Sequence, residues 1–212
     1  MSSTIAAVAP LLPPWVYAQS EITAELAPLV GQDAGARALM SRLHAASGIE
    51  TRHLAQPLER YRDLGSFTDA NDTFIELGAD LGERAVRTAL GDSGIRPDEV
   101  DYLLYTSVTG ISAPSLDALL VPRLGLRQDV KRLPSFGLGC VAGAAGLARV
   151  HDYLMGHPDD VAVLLSVELC SLTLQRDDAS VAGLVACGLF GDGATAVVML
   201  GERRARRWRA ER

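Results

Sequence analysis

Residues 136–147 read FGLGCVAGAAGL, with a cysteine set between glycines. The preceding segment, RLPSFG (132–137), reads as a strand, and residues 141–154 read as a helix. Cys140 therefore stands at a strand-to-helix junction. Val141, Ala142, Ala144, Ala145, Leu147, Ala148 and Val150 place small or apolar groups around most of that helix. A helix lying on one sheet shows one apolar stripe, whereas a helix apolar nearly all round is covered on both sides. One sheet supplies one cover, so the pattern calls for a second layer.

Working outward, DYLLYT (101–106), VAVLLSV (161–167) and ATAVVML (194–200) read as buried strands. Helical spacing is expected over residues 21–46, with a break around Gly31 to Gly35. Residues 50–70 read as polar and loop-like. Asn71 or Asp72 can cap the next helix, where Phe74, Leu77, Leu81, Ala85, Ala89 and Leu90 recur at helical spacing and Gly91 and Gly94 mark the end. Shorter helices are expected over 115–124 and 181–186. Strands alternating with helices imply an α/β layer, a mainly parallel or mixed sheet covered by helices.

The bulk numbers fit such a domain: 48% hydrophobic and 22% charged residues. A net charge of −6 offers nothing global to attract nucleic acid or an anionic membrane. The balance is uneven, because RRARRWRAER (203–212) carries a local +5 and leaves −11 on the rest. That tail is expected to be a solvated, unstructured end, set apart from a domain spanning 1–202. Lys131 is the sole lysine. Cys140, Cys170 and Cys187 form neither a CxxC pair nor an even set, which points to a reduced, cytoplasmic compartment and to neither a disulfide framework nor a metal site. The apolar start lacks a preceding basic residue and is broken by Pro10, Pro13 and Pro14, unlike a signal peptide, and no run is long enough to span a membrane.

At Cys140, a helix N-terminus offers unsatisfied N–H groups and the positive dipole end, which favour thiolate and can hold an oxyanion. Gly139 permits a tight turn, and Ala142, Gly143 and Gly146 allow close approach by substrate or backbone. An acyl-accepting nucleophile needs these features. An inert buried cysteine would use the same residue types, so the residues alone leave both readings open.

GCVAGAAGL (139–147) followed by GLFGDGATAVV (188–198) resembles the nucleophile region and the later Phe-Gly-Asp-Gly turn of type III polyketide synthases, the chalcone and stilbene synthase-like enzymes. LLPPWVYAQSEIT (11–23), SGIETRHL (47–54), YTSVTGISAPSLD (105–117), RLGLRQDVKRLPSFGLGC (123–140) and VLLSVELCSLTLQ (163–175) follow in the family's order. The resemblance implies one half of a thiolase-like αβαβα architecture, a mixed sheet with helices on both faces, working as a homodimer without metal or bound cofactor. It implies that Cys140 accepts a starter acyl group from acyl-CoA, which is then extended with malonyl-CoA.

Phe190 matches a gatekeeping aromatic, with core packing as its plainer reading. Thr173 matches a cavity-lining position and also suits a turn. Ala113, before Pro114, matches a loop reaching the partner subunit's cavity. Arg52 matches a basic residue near the coenzyme A phosphates, although Glu50 and Thr51 stand where the family often has further basic residues. The family's catalytic His and Asn belong to a second half that this sequence does not show. His151 cannot substitute, because it lies eleven residues beyond Cys140, about 16 Å along the helix. A chain that needs its second half is expected, its resemblance closer to alkylresorcinol-, alkylpyrone- or naphthol-forming members than to plant chalcone synthases, with a fatty-acyl starter; a non-catalytic interaction half is the alternative.

Overall fold

Every residue from Tyr102 to Ser107 is buried, as is each from Val161 to Leu165. Strands buried on both faces belong to the middle of a covered sheet. These two lie side by side in parallel, with Tyr102 opposite Ala162. The computed structural model describes residues 2–30, 34–176 and 178–212. In chain order its elements are β1 (Ser3–Leu11), β2 (Trp15–Ala18), α1 (Gln19–Val30), α2 (Ala34–Ala46), β3 (Thr51–Leu54), α3 (Phe67–Ser93) and β4 (Tyr102–Ser107). There follow α4 (Leu116–Leu124), β5 (Lys131–Phe136), α5 (Ala142–Gly156), β6 (Val161–Leu169), α6 (Val181–Leu189), β7 (Asp192–Gly201) and α7 (Glu202–Ala210).

The chain divides into two units. One comprises Met1–Leu11, Ile75–Glu168 and Ala194–Arg212; the other comprises Leu12–Phe74 and Leu169–Gly193. The first unit holds a five-stranded sheet in the order β1-β7-β6-β4-β5. β4 runs parallel to β5 and β6, and β1 runs antiparallel to β7. The sheet is therefore mixed, as expected. Side chains alternate across it: Leu164 meets α5 at Gly146, whereas Leu165 and Val167 meet α3 at Gly82, where Leu120 of α4 also packs. Helices thus cover both faces. In the second unit, β2 and β3 pair antiparallel, Trp15 opposite Leu54. Ile22, Leu26, Met40 and Leu184 bury the apolar sides of α1, α2 and α6.

Three sequence expectations need correction. The loop-like reading of 50–70 fails at β3 and at a 3-10 turn over Leu58–Arg62; β3 owes its state to pairing with the distant β2 rather than to a local pattern. The long helix begins at Phe67, not at Asn71 or Asp72, because the Ser66 hydroxyl accepts the Asp69 N–H at 3.1 Å and so caps it. Its end is Gly94 alone. Gly94 has φ +67, and the amides of Gly94 and Ile95 return to the carbonyls of Gly91 and Leu90. The break between the first two helices falls largely on residues 31–33, outside the described residues; Gly35 itself is helical.

The third correction is the arginine-rich tail, which is a helix rather than an unstructured end. Arg203 and Arg207, one turn apart, both pair with Asp159, and Arg204 pairs with Glu99 at 3.0 Å. Trp208 Nε1 donates to the Ser93 carbonyl at 2.7 Å, and Ala205 is fully buried. Arginine and alanine are good helix formers. The acidic partners that fix this helix lie far away in sequence, so the local charge run gave no sign of docking.

Candidate active site

β5 delivers the chain to Gly137 and Gly139, whose φ values of +88 and +56 turn it sharply. A 3-10 turn over Gly139–Val141 follows and runs straight into α5. Cys140 sits in that turn, exposed to solvent. It is therefore not buried in this chain. The Ala142 N–H bonds back to the Gly139 carbonyl, so the turn continues into α5, and the positive end of that fifteen-residue helix lies at the turn that holds Cys140.

On α5, Ala142, Gly146, Val150 and Leu154 form the buried stripe. A Cβ on Gly146 would stand 2.6 Å from Leu164 Cδ1, so this helix lies unusually close to the sheet. Val141, Gly143, Ala144 and Ala148 face outward and are exposed. The helix that is apolar nearly all round thus has one cover in this chain. Ala113 is also exposed in this unit, before a cis Pro114. The segment leading toward it is fixed by Glu168, which accepts the Val108 N–H at 3.1 Å and the Thr109 hydroxyl at 2.7 Å. Sequence reasoning passed over Glu168, although a carboxylate at the end of an apolar strand was a signal in plain view.

The second unit gathers the other three candidates. Arg52, Thr173 and Phe190 line one cavity of about 70 Å³, together with Cys170 and Cys187. Arg52 is 6% exposed and does not lie on the open surface. Its Nε donates to Gln19 Oε1 and its Nη1 to the Phe190 carbonyl, each at 2.9 Å. Its Nη2 is buried and has no hydrogen-bond partner among the described residues. Burial pulls this guanidinium below its ordinary pKa. Phe190 is 45% exposed and caps the end of α6, so it is not a packed core residue. Thr173 is exposed, and its hydroxyl donates to the Cys170 carbonyl at 2.7 Å, the turn geometry its sequence suggested.

Asp192 organises this unit and was not singled out in the sequence. It is buried, and it accepts the Ala55 N–H at 2.6 Å, the Ser171 N–H at 2.8 Å and the Ser171 hydroxyl. Tyr61 joins the same hydroxyl at 2.5 Å. Asp192 thereby ties the residue after β3 and the turn holding Thr173 to the Phe-Gly-Asp-Gly segment. Burial lifts its pKa to about 6, against the pull of those hydrogen bonds. Burial also pushes the Cys187 thiol up to about 11.

All four histidines are engaged elsewhere. His44 meets Thr23 and the Leu184 carbonyl, His53 meets the Pro13 carbonyl, His151 meets Ser3, and His157 meets the Tyr153 carbonyl. No helix among the described residues is long and apolar enough to cross a membrane.

Residues 3–202 match the family described as chalcone and stilbene synthases, N-terminal domain. The chain is 56% identical over 205 residues to the 1,3,6,8-tetrahydroxynaphthalene synthase of Streptomyces peucetius subsp. caesius, covering 97% of this chain and 54% of that protein. It is 37% identical over 166 residues to the synthase of the same name from Streptomyces griseus, covering 78% and 45%. Among solved structures, the 1,3,6,8-tetrahydroxynaphthalene synthase of Streptomyces coelicolor A3(2), a bacterial type III polyketide synthase, aligns with TM-score 0.85 and 32% identity, covering 92% of this chain and 56% of that one. The type III polyketide synthase domain of Steely1 from Dictyostelium aligns with TM-score 0.86 and 25% identity, covering 94% and 56%. The layered half-fold is thus thiolase-like, and the chain spans about half the length of the curated relatives it matches.

Proposed function

The chain belongs to the chalcone and stilbene synthase family, and from that premise we propose that it is the cysteine-bearing half of a type III polyketide synthase. Cys140 takes an acyl group from a coenzyme A thioester, and the acyl chain is then extended with malonyl-CoA. One observation carries this reading: the exposed thiol on a glycine-built turn at the head of α5. Attack on a thioester needs a thiolate and donors for the oxyanion, and the amides of the Gly139–Val141 turn, at the positive end of α5, are suited to the second task. Decarboxylation of malonyl-CoA needs groups to stabilise the enolate, and a second half supplies them.

Thr173, Phe190 and Arg52 bind substrate within the second unit, with the free Arg52 Nη2 as a polar contact there. Ala113 lines the cavity of a partner subunit in a homodimer. The chain works in the cytoplasm. Similarity to tetrahydroxynaphthalene synthases favours a malonyl-derived, naphthol-forming chain over the fatty-acyl starter expected from the sequence.

The test is incubation with malonyl-CoA and with acetyl-CoA, with and without a polypeptide carrying a relative's second half. Alone, the chain is expected to form a slow acyl adduct at Cys140 and no polyketide. With the second half, condensed product is expected, abolished by Cys140→Ala. No adduct at Cys140 under either condition would overturn the proposal. It would favour a second reading, a non-catalytic half acting through the bare face of α5, which the engagement of all four histidines elsewhere supports.

A further inference from the structure

The single lysine stands at the other end of β5. Lys131 opens the strand whose far end leads to Cys140, and its side chain is exposed. Its Nζ lies 3.1 Å from Tyr153 Oη and 3.5 Å from His157 Nε2. These neighbours have little freedom. Tyr153 stacks between Tyr102 and His157, with ring centroids 4.3 and 4.1 Å apart, the His157 ring tilted by only 9°. The Tyr153 hydroxyl donates to Asp160 Oδ2 at 2.7 Å, which leaves its oxygen to accept from the lysine.

The tautomer of His157 follows from its partners. Nδ1 is 2.8 Å from the Tyr153 carbonyl, which can only accept, so Nδ1 carries the proton. In the neutral ring Nε2 then presents its lone pair, and it presents it to Lys131. This is a nucleophile, a base within reach of it and a third group orienting the base, the arrangement that activates weak nucleophiles. The ammonium is held by these two side chains, with the Tyr153 ring centroid 5.1 Å from Nζ, and the lysine is exposed.

We propose that Lys131 is a self-acylating residue: its Nζ, activated by His157 and held by Tyr153, takes the acyl group of coenzyme A thioesters from solution. His157 Nε2 removes one proton from the ammonium. The amine lone pair forms the C–N bond at the thioester carbonyl, and the C–S bond breaks. The nitrogen sheds a second proton as the amide forms. One of the two protons leaves on the thiolate as free coenzyme A thiol, and the other passes to water. Nothing in this step is asked of Cys140, so the proposal stands apart from the condensing reading. The product is a chain whose single lysine has lost its charge.

The experiment is incubation of the whole chain with acetyl-CoA, quenching, and treatment with neutral hydroxylamine, which strips thioesters and leaves amides. Because Lys131 is the sole lysine, any lysine label seen by peptide mass spectrometry is at that site. His157→Phe keeps a ring stacked on Tyr153 and removes the base; a fall in labelling rate of at least about tenfold is expected, since positioned bases contribute roughly 10²–10⁴-fold. Lys131→Arg should leave only the amino terminus labelled. Circular dichroism and a thermal melt check that His157→Phe keeps the fold, and if it does not, His157→Gln is read instead. An unlabelled Lys131, or equal rates in the wild type and the folded His157 variant, would overturn the proposal.

Discussion

Cys140, Cys170 and Cys187 are one side-chain type in three environments. Cys140 is exposed at a helix head, Cys170 is half-buried, and Cys187 is half-buried with its thiol pushed up to about 11. Thiolate fraction and access control alkylation. Iodoacetamide near neutral pH is therefore expected to label Cys140 first and Cys187 last, and peptide mapping that found Cys140 slowest would end its assignment as nucleophile. Asp192 gives a pH signature. Its carboxyl is lifted from an ordinary 3.8 to about 6, so the folded state holds this proton more tightly than the unfolded chain. Stability from that proton is complete below about pH 4 and is lost as pH rises through 6, about 3 kcal/mol in all. Asp192→Asn does not titrate. Urea melts should show the stability of the wild type relative to this variant shrinking between pH 4 and 7. The sequence displayed Cys140 because its glycines and the helix behind it are contiguous with it. It hid the burial of Arg52 and the role of Asp192 because their partners, Gln19, Ala55 and Ser171, come from remote segments.

At the scale of elements, the two glycines of α5 make opposite predictions. A methyl at Gly146 would press into the buried Leu164, and overpacking of this kind costs about 1–3 kcal/mol. Gly143 has nothing within 4 Å, so Gly143→Ala should stabilise by up to about 1 kcal/mol through helix propensity alone. Thermal melts of the two variants should move in opposite directions, and a shared direction would show that α5 does not lie on the sheet as described. β4, β6 and β7 were legible because a doubly covered strand is a continuous apolar run. β3 was not, because its four residues become a strand only when β2 arrives to pair with them. α7 was misread for the same reason, its counter-charges Glu99 and Asp159 being far upstream.

Over the whole molecule, the most telling feature of the first unit is its open side. Leu133, Phe136, Leu138 and Val141 are exposed along one continuous stretch, β5 is an edge strand, and Ala144 and Ala148 stand bare on α5. Contiguous apolar surface beside an unpaired edge marks an interface or an aggregation hazard. The chain alone is expected to sediment as a dimer or larger species and to bind a hydrophobic dye, and adding a second-half polypeptide should suppress the dye signal. A monodisperse monomer without dye binding would count against this. The sequence announced this demand for a second layer through the apolar circumference of α5, whereas the division into two units, each assembled from separated segments, left no local trace. That assembly has a consequence in time. β1 pairs with β7, Ser3 opposite Gly201, so β1 leaves the ribosome long before the strand it pairs with. At synthesis rates of about 5–20 residues per second the wait is about 10–40 s. For that interval β1 is an unpaired nascent strand, an edge open to pairing with other chains, and Ile5 and Val8 stay exposed on it even once β7 has arrived.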